Sequence, residues 1–168
     1  RLVWRRCEDG RPARLVWSPP IWHGPGDVVV PRHAERQDGV SDWYLAKGIL
    51  ADATPQLANA IAAQLAARGI PFNEHAIYST PALLAESRDV IADWSRHGWH
   101  GVDMETAATF AVAKHFGARR AAALLRVDDL VSEEHSIADG LHGDHRRFMR
   151  DREREVMHAV IEAVAETP

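Results

Sequence analysis

The stretch Gly101-Val102-Asp103-Met104-Glu105-Thr106-Ala107-Ala108 decides how the rest of the chain is read. A short apolar approach ends in an acidic cluster, and that cluster opens a helix. Asp103 and Glu105 fall where a helix leaves its first N–H groups unpaired and carries the positive end of its dipole. Carboxylates stabilise such a terminus, so one reading is a well-capped helix and nothing more. The other reading has Glu105 projecting into a cleft at a strand's carboxyl end and binding hydroxyl groups, because open α/β sheets place ligands there. Spacing alone leaves both open.

Downstream, the helix is expected to run to about His115-Phe116 and end at Gly117. Arg120 to Val127 is a short Ala- and Leu-rich run read as a strand, ending in Asp128-Asp129. Polar residues 132–145 read as a loop. From about Asp144 a charged helix with Phe148, Val156, Val160 and Val164 among its apolar positions closes the chain.

Upstream, Ser79-Thr80-Pro81 is expected to cap a helical stretch that carries Leu83, Leu84, Val90, Ile91 and Trp94 and stops at Gly98. Ile70 to Tyr78 reads as a strand interrupted by Asn73, Glu74 and His75. Thr54-Pro55 starts a helix, a hydroxyl N-cap with proline at the first helical position. Leu57, Ile61 and Leu65 recur four apart along it, and Gly69 suits its end. Asp27-Val28-Val29-Val30-Pro31 is a short apolar strand, and Arg32 to Ser41 is polar and turn-rich. Pro19, Pro20 and Pro25 mark an irregular loop before it. Residues 1–17 read as a hairpin around Glu8-Asp9-Gly10-Arg11. The alternation predicts an α/β fold, a single domain over 1–168 with a mixed β-sheet flanked by helices.

Composition narrows the function. A hydrophobic share of 46% over 168 residues is enough for a sizeable core. The net charge of -4 gives no electrostatic footprint for nucleic acid or an anionic membrane. Cys7 is the one cysteine, which excludes an internal disulfide framework and a cysteine-rich zinc site. No apolar run reaches the length of a membrane span and no secretory signal is visible, so a cytoplasmic setting is expected. The chain begins at Arg1 without an initiating Met, so a missing N-terminal portion is expected as well.

Five pieces in order resemble the purine nucleoside and uridine phosphorylase superfamily, which also contains nucleosidases. They are Gly26-Asp27-Val28-Val29-Val30-Pro31, His33-Ala34-Glu35-Arg36-Gln37-Asp38-Gly39, Tyr78-Ser79-Thr80 with Ala82-Leu83 and Glu86, Val102-Asp103-Met104-Glu105-Thr106-Ala107, and Val127-Asp128-Asp129. The Met-Glu element at a helix start is the most specific of them. The resemblance covers residues 26–166 and implies cleavage of the N-glycosidic bond of a nucleoside.

It also implies roles. Glu105 matches the carboxylate that accepts hydrogen bonds from the ribose hydroxyls, and a two-oxygen anion suits a diol. Met104 matches the residue that packs on the sugar, although Met also fills cores. Tyr78 matches an aromatic position that stacks on the base, against the alternative of a buried sheet aromatic. Asp129 matches the acid that protonates the departing base, and like-charge repulsion from Asp128 beside it would favour the protonated form. A strand-end turn or a helix cap is the alternative for that Asp pair. Asp103 and Asp128 complete the substrate-binding candidates. An arginine early in the last helix reaches the site in the family; Arg152 and Arg154 are the candidates here.

Phosphorolytic members hold phosphate with a Gly-rich loop and arginines ahead of the first strand. Ser18-Pro19-Pro20-Ile21-Trp22-His23-Gly24-Pro25 stands in that place, and its prolines cannot donate. Three readings follow: a phosphorylase whose phosphate site comes from elsewhere, a nucleosidase using water, or a degenerate nucleoside- or nucleotide-binding member. No metal or organic cofactor is implied; inorganic phosphate is the possible co-substrate. His142, Asp144, His145 and the nearby Glu133-Glu134-His135 read as solvated surface rather than a zinc shell. Trp4, Trp17 and Trp22 cluster as interface-type aromatics. The resemblance independently implies a homo-oligomer, a dimer or a multiple of dimers.

Overall fold

The computed structural model describes residues 26–99, 101–127, 130 and 143–167. The expected N-terminal hairpin, the Asp128-Asp129 pair and most of the polar 132–145 segment lie outside the described residues.

Strand β1 (Val28–Val29) is the middle of a three-stranded sheet. It runs parallel to β4 (Phe72–Asn73) and antiparallel to β7 (Leu124–Leu125). A second, four-stranded sheet has the order β3 (Ala51–Asp52), β2 (His33–Arg36), β5 (Ile77–Ser79), β6 (Val102–Asp103). Here β2 is antiparallel to β3 but parallel to β5, and β5 is parallel to β6. The ladders continue past the strand ends, with Val30 N–H donating to Asn73 O at 2.8 Å and Ala53 N–H to Arg32 O at 2.9 Å. The fold is therefore mixed α/β, as the alternation predicts.

Helix α1 (Pro55–Ala67) buries Leu57, Ala58, Ile61, Ala62 and Leu65 and packs on α4 (Gly143–Glu166). The facing stripe of α4 is Val156, Ala159 and Ala163, small enough for the two helices to approach closely. Helix α3 (Thr106–His115) lies across β2 and β3 and buries Ala107, Phe110 and Ala111. Phe110 is fully enclosed, worth roughly 1.5–3 kcal/mol relative to exposure. Among the described residues, no helix is long and apolar enough to cross a membrane.

Several local expectations are corrected. The polar run after Pro31 contains β2. Strand β2 forms because β3 and β5 pair with both its edges, so tertiary pairing overrides the weak propensity of His-Ala-Glu-Arg. The interrupted strand over 70–78 is two strands, β4 and β5, one in each sheet. The helix expected after Ser79 is a 3-10 turn at Leu83–Ala85 followed by α2 (Arg88–Arg96). The α2 cap is Ser87, whose side chain accepts from Val90 N–H. Only Leu124–Leu125 of the 120–127 run is strand. Thr54 precedes α1 as expected, but its hydroxyl caps nothing: Oγ1 accepts from Arg120 N–H at 3.0 Å, tying the helix start to the segment entering β7.

The loop after β2 is organised by one side chain. Arg36 donates Nε to Ser41 Oγ, Nη1 to the carbonyls of Ala46 and Ile49, and Nη2 to Asp42 Oδ1 and Leu45 O. Buried Asp38 completes the network, accepting from Ser41 Oγ at 2.6 Å and from the N–H groups of Val40 and Ser41.

Candidate active site

Because β2, β5 and β6 are parallel, their carboxyl ends share one edge. Gln37, Thr80 and Met104 are the residues that leave it. The edge is closed by backbone bonds: Gln37 N–H donates to Ser79 O at 3.0 Å, and Thr80 N–H to Asp103 O at 2.9 Å.

At this edge Asp103 and Glu105 separate in role. Asp103 caps α3, its Oδ2 accepting from Thr106 N–H at 2.9 Å and from the Thr106 hydroxyl. Its Oδ1 accepts from Ser79 Oγ at 2.5 Å. Glu105 makes no capping bond, has non-helical φ -127 and ψ -31, and is exposed. Its carboxylate accepts a bond from Met104 N–H at 3.1 Å. Met104 beside it is exposed as well. The helix is thus capped without Glu105, and a carboxylate stands open at the positive end of α3.

Tyr78 lies on the neighbouring strand, in register with Val102. Alternation along β5 turns Ile77 and Ser79 inward and Tyr78 to the opposite face. There its ring lies 4.4 Å from Trp94 and 4.7 Å from Trp99, and His97 stacks on Trp99 at 5.1 Å. Tyr78 therefore belongs to an aromatic cluster that seats α2, with both indoles against its ring.

The structure thus brings Asp103, Met104 and Glu105 together and puts Tyr78 one strand away. Asp128 and Asp129 follow β7 outside the described residues. Arg152 lies with its guanidinium 5.4 Å from the centre of the Phe148 ring and pairs with Glu155; Arg154 pairs with Asp151. A cleft of 390 Å³ is elsewhere, lined by residues that include Glu35, Arg36, Gln37, Asp42 and Lys47, and it touches this edge only through β2 and Gln37.

Ser79 is the residue that sequence reasoning misplaced. It does not cap a following helix; it is fully buried at the end of β5, in register with Asp103. A hydroxyl ending an otherwise apolar strand, opposite an acidic strand end, is the signal that could have found it.

The fold and this edge define an α/β protein with an exposed carboxylate, free of the helix cap, where parallel strands end and a helix begins. The chain belongs to the phosphorylase superfamily, whose sequence profile it matches over residues 23–166. Among solved structures it is similar to uridine phosphorylase from Vibrio fischeri ES114, with a TM-score of 0.73 at 23% identity over 85% of this chain. The same enzyme complexed with 6-hydroxy-1-naphthoic acid gives 0.71 at 22% identity. AMP nucleosidase from Bacteroides thetaiotaomicron VPI-5482 gives 0.65 at 21% identity over 86% of this chain. At these identities the likeness concerns the fold. The chain spans 57% of the length of each of these neighbours.

Proposed function

We propose that the protein cleaves the N-glycosidic bond of a nucleoside, with phosphate as the attacking co-substrate. The observation that carries this reading is the open Glu105 carboxylate, freed from capping by Asp103 and flanked by exposed Met104. Glu105 accepts hydrogen bonds from the ribose hydroxyls, strong because the acceptor is charged. Met104 packs on the sugar, and Tyr78, within its aromatic cluster, lines the base side. Asp129 delivers a proton to the departing base, on which negative charge develops as the bond breaks, and the Asp128 charge favours the protonated acid.

Hydrolysis is the second reading, favoured by the likeness to an AMP nucleosidase; water then takes the place of phosphate. We also propose a homo-oligomer. The segment between β2 and β3 carries four exposed large hydrophobics, Val40, Trp43 at 87%, Ile49 and Leu50, the residue types a partner covers. A monomer by light scattering would count against it.

Base release from a panel of purine and pyrimidine nucleosides by the intact protein, with and without phosphate, tests the reaction. Phosphate-dependent release is expected. Equal release without phosphate selects hydrolysis, and no release from any nucleoside refutes the proposal.

A further inference from the structure

We infer that Ser79 and Asp103 are positioning residues for Glu105. They clamp the chain around it without meeting the substrate. This rests on the reading of Glu105 as the sugar-binding carboxylate.

The argument starts from one atom. Ser79 Oγ donates to Asp103 Oδ1 at 2.5 Å and accepts from Ala107 N–H at 3.0 Å. Asp103 lies two residues before Glu105 and Ala107 two residues after it. The segment 103–107 is therefore a closed bend whose two ends meet at the same hydroxyl, with Glu105 at its middle. The second carboxylate oxygen of Asp103 ties Thr106 into the bend through N–H and hydroxyl. A helix cap needs only the Asp103–Thr106 bonds. The bonds to Ser79 do something further: they anchor the bend to β5, which pairs in register with β6 through Ser79 and Asp103.

Glu105 itself lacks such anchorage. Its backbone departs from helical angles, so the direction of its side chain is set by the shape of the bend rather than by the helix. Ser79, fully buried and on a strand, is the rigid end of the chain of bonds. Loss of its hydroxyl leaves Asp103 Oδ1 and Ala107 N–H without this partner and opens the bend. A carboxylate displaced by about 1 Å loses a charge-assisted bond to a vicinal diol, a loss of roughly 10–100-fold in binding.

Calorimetric binding of a ribonucleoside and of its 2′,3′-dideoxy counterpart to the intact protein tests this. Ser79→Ala is expected to weaken ribonucleoside binding by at least ~10-fold and to leave the dideoxynucleoside, which has no diol, unchanged. In a Glu105→Ala background Ser79→Ala should add no further loss, because positioning acts through the carboxylate. Equal weakening of both ligands, or an undiminished loss in the Glu105→Ala background, overturns the inference and leaves the proposed sugar contact intact. If Glu105→Ala alone does not alter ribonucleoside binding, the sugar contact itself fails and the positioning role falls with it. Asp103→Asn, which retains size but offers a poorer acceptor, carries the same expectation should Ser79→Ala not fold.

Discussion

Gly26→Ala is a sharp test of how β1 and α4 meet. Gly26 has φ +97, and an added Cβ would stand 2.5 Å from Phe148 Cε1 and 2.8 Å from Cζ. Carbon contacts sit near 3.5–4.0 Å, so the ring would have to retreat by about 1 Å or more. Two costs add. The left-handed backbone costs an L-residue roughly 1–2 kcal/mol. The Phe148 ring is 43% exposed and can swing outward, so displacing it and the Arg152 contact it carries costs up to about 1 kcal/mol. The sum, about 1–3 kcal/mol, should lower the melting temperature by on the order of 5 °C in a domain of this size. Urea unfolding of Gly26→Ala, Phe148→Ala and the double variant separates the two costs. With Phe148 truncated, the penalty of Gly26→Ala should fall to the backbone share of about 1–2 kcal/mol. The same penalty in both backgrounds would refute the steric argument, and a loss below ~0.5 kcal/mol in the wild-type background would refute the whole of it.

Two further outcomes follow from the core and its charges. Phe110→Ala empties a fully enclosed site between α3 and the second sheet and should cost about 3–5 kcal/mol in urea unfolding; a loss under ~1 kcal/mol would mean that the site collapses around the gap. Burial alone would raise the Asp52 carboxyl, but hydrogen bonds from Lys114 and Arg120 outweigh it and hold the group below its ordinary value of 3.8. A depressed carboxyl stabilises the fold above its free value, and that contribution is lost as pH falls through the depressed one. Unfolding of Asp52→Asn should therefore differ from the parent at pH 7 and converge on it well below pH ~4, and a difference that persists unchanged in acid would contradict the pairing.

Much of the fold is legible in the sequence where local signals and tertiary packing agree. Helix α1 is such a case: Thr54-Pro55 and Gly69 bound it, and Leu57, Ile61 and Leu65 form its buried stripe. Helices α3 and α4 are likewise found near their observed ends. Strands β2 and β5 are the opposite case. Their pairing partners are distant in sequence, and segments this short carry too few residues for alternation to show. The sequence marks Asp103 and Glu105 alike as helix-terminal carboxylates. Only the folded arrangement separates them, one consumed by Thr106 and Ser79 and the other left exposed, because the deciding partner lies 24 residues away on another strand.

The Arg36 network has a consequence for how the loop between β2 and β3 can change. Beyond one 3-10 turn at Ser41–Trp43, this loop has no regular structure, yet three of its carbonyls converge on a single guanidinium. Its path is therefore encoded by spacing: Leu45, Ala46 and Ile49 must arrive at fixed points around one planar group. At Leu45, Ala46 and Ile49 residue identities are free to drift, because those bonds run to the main chain, whereas Asp38, Ser41 and Asp42 bond through their side chains and are not. Its length is not, since one inserted or deleted residue shifts every carbonyl out of step. Diversity in the adjoining cleft is thus expected to arise by substitution at fixed length, and Lys in place of Arg36 could not hold the same set of partners.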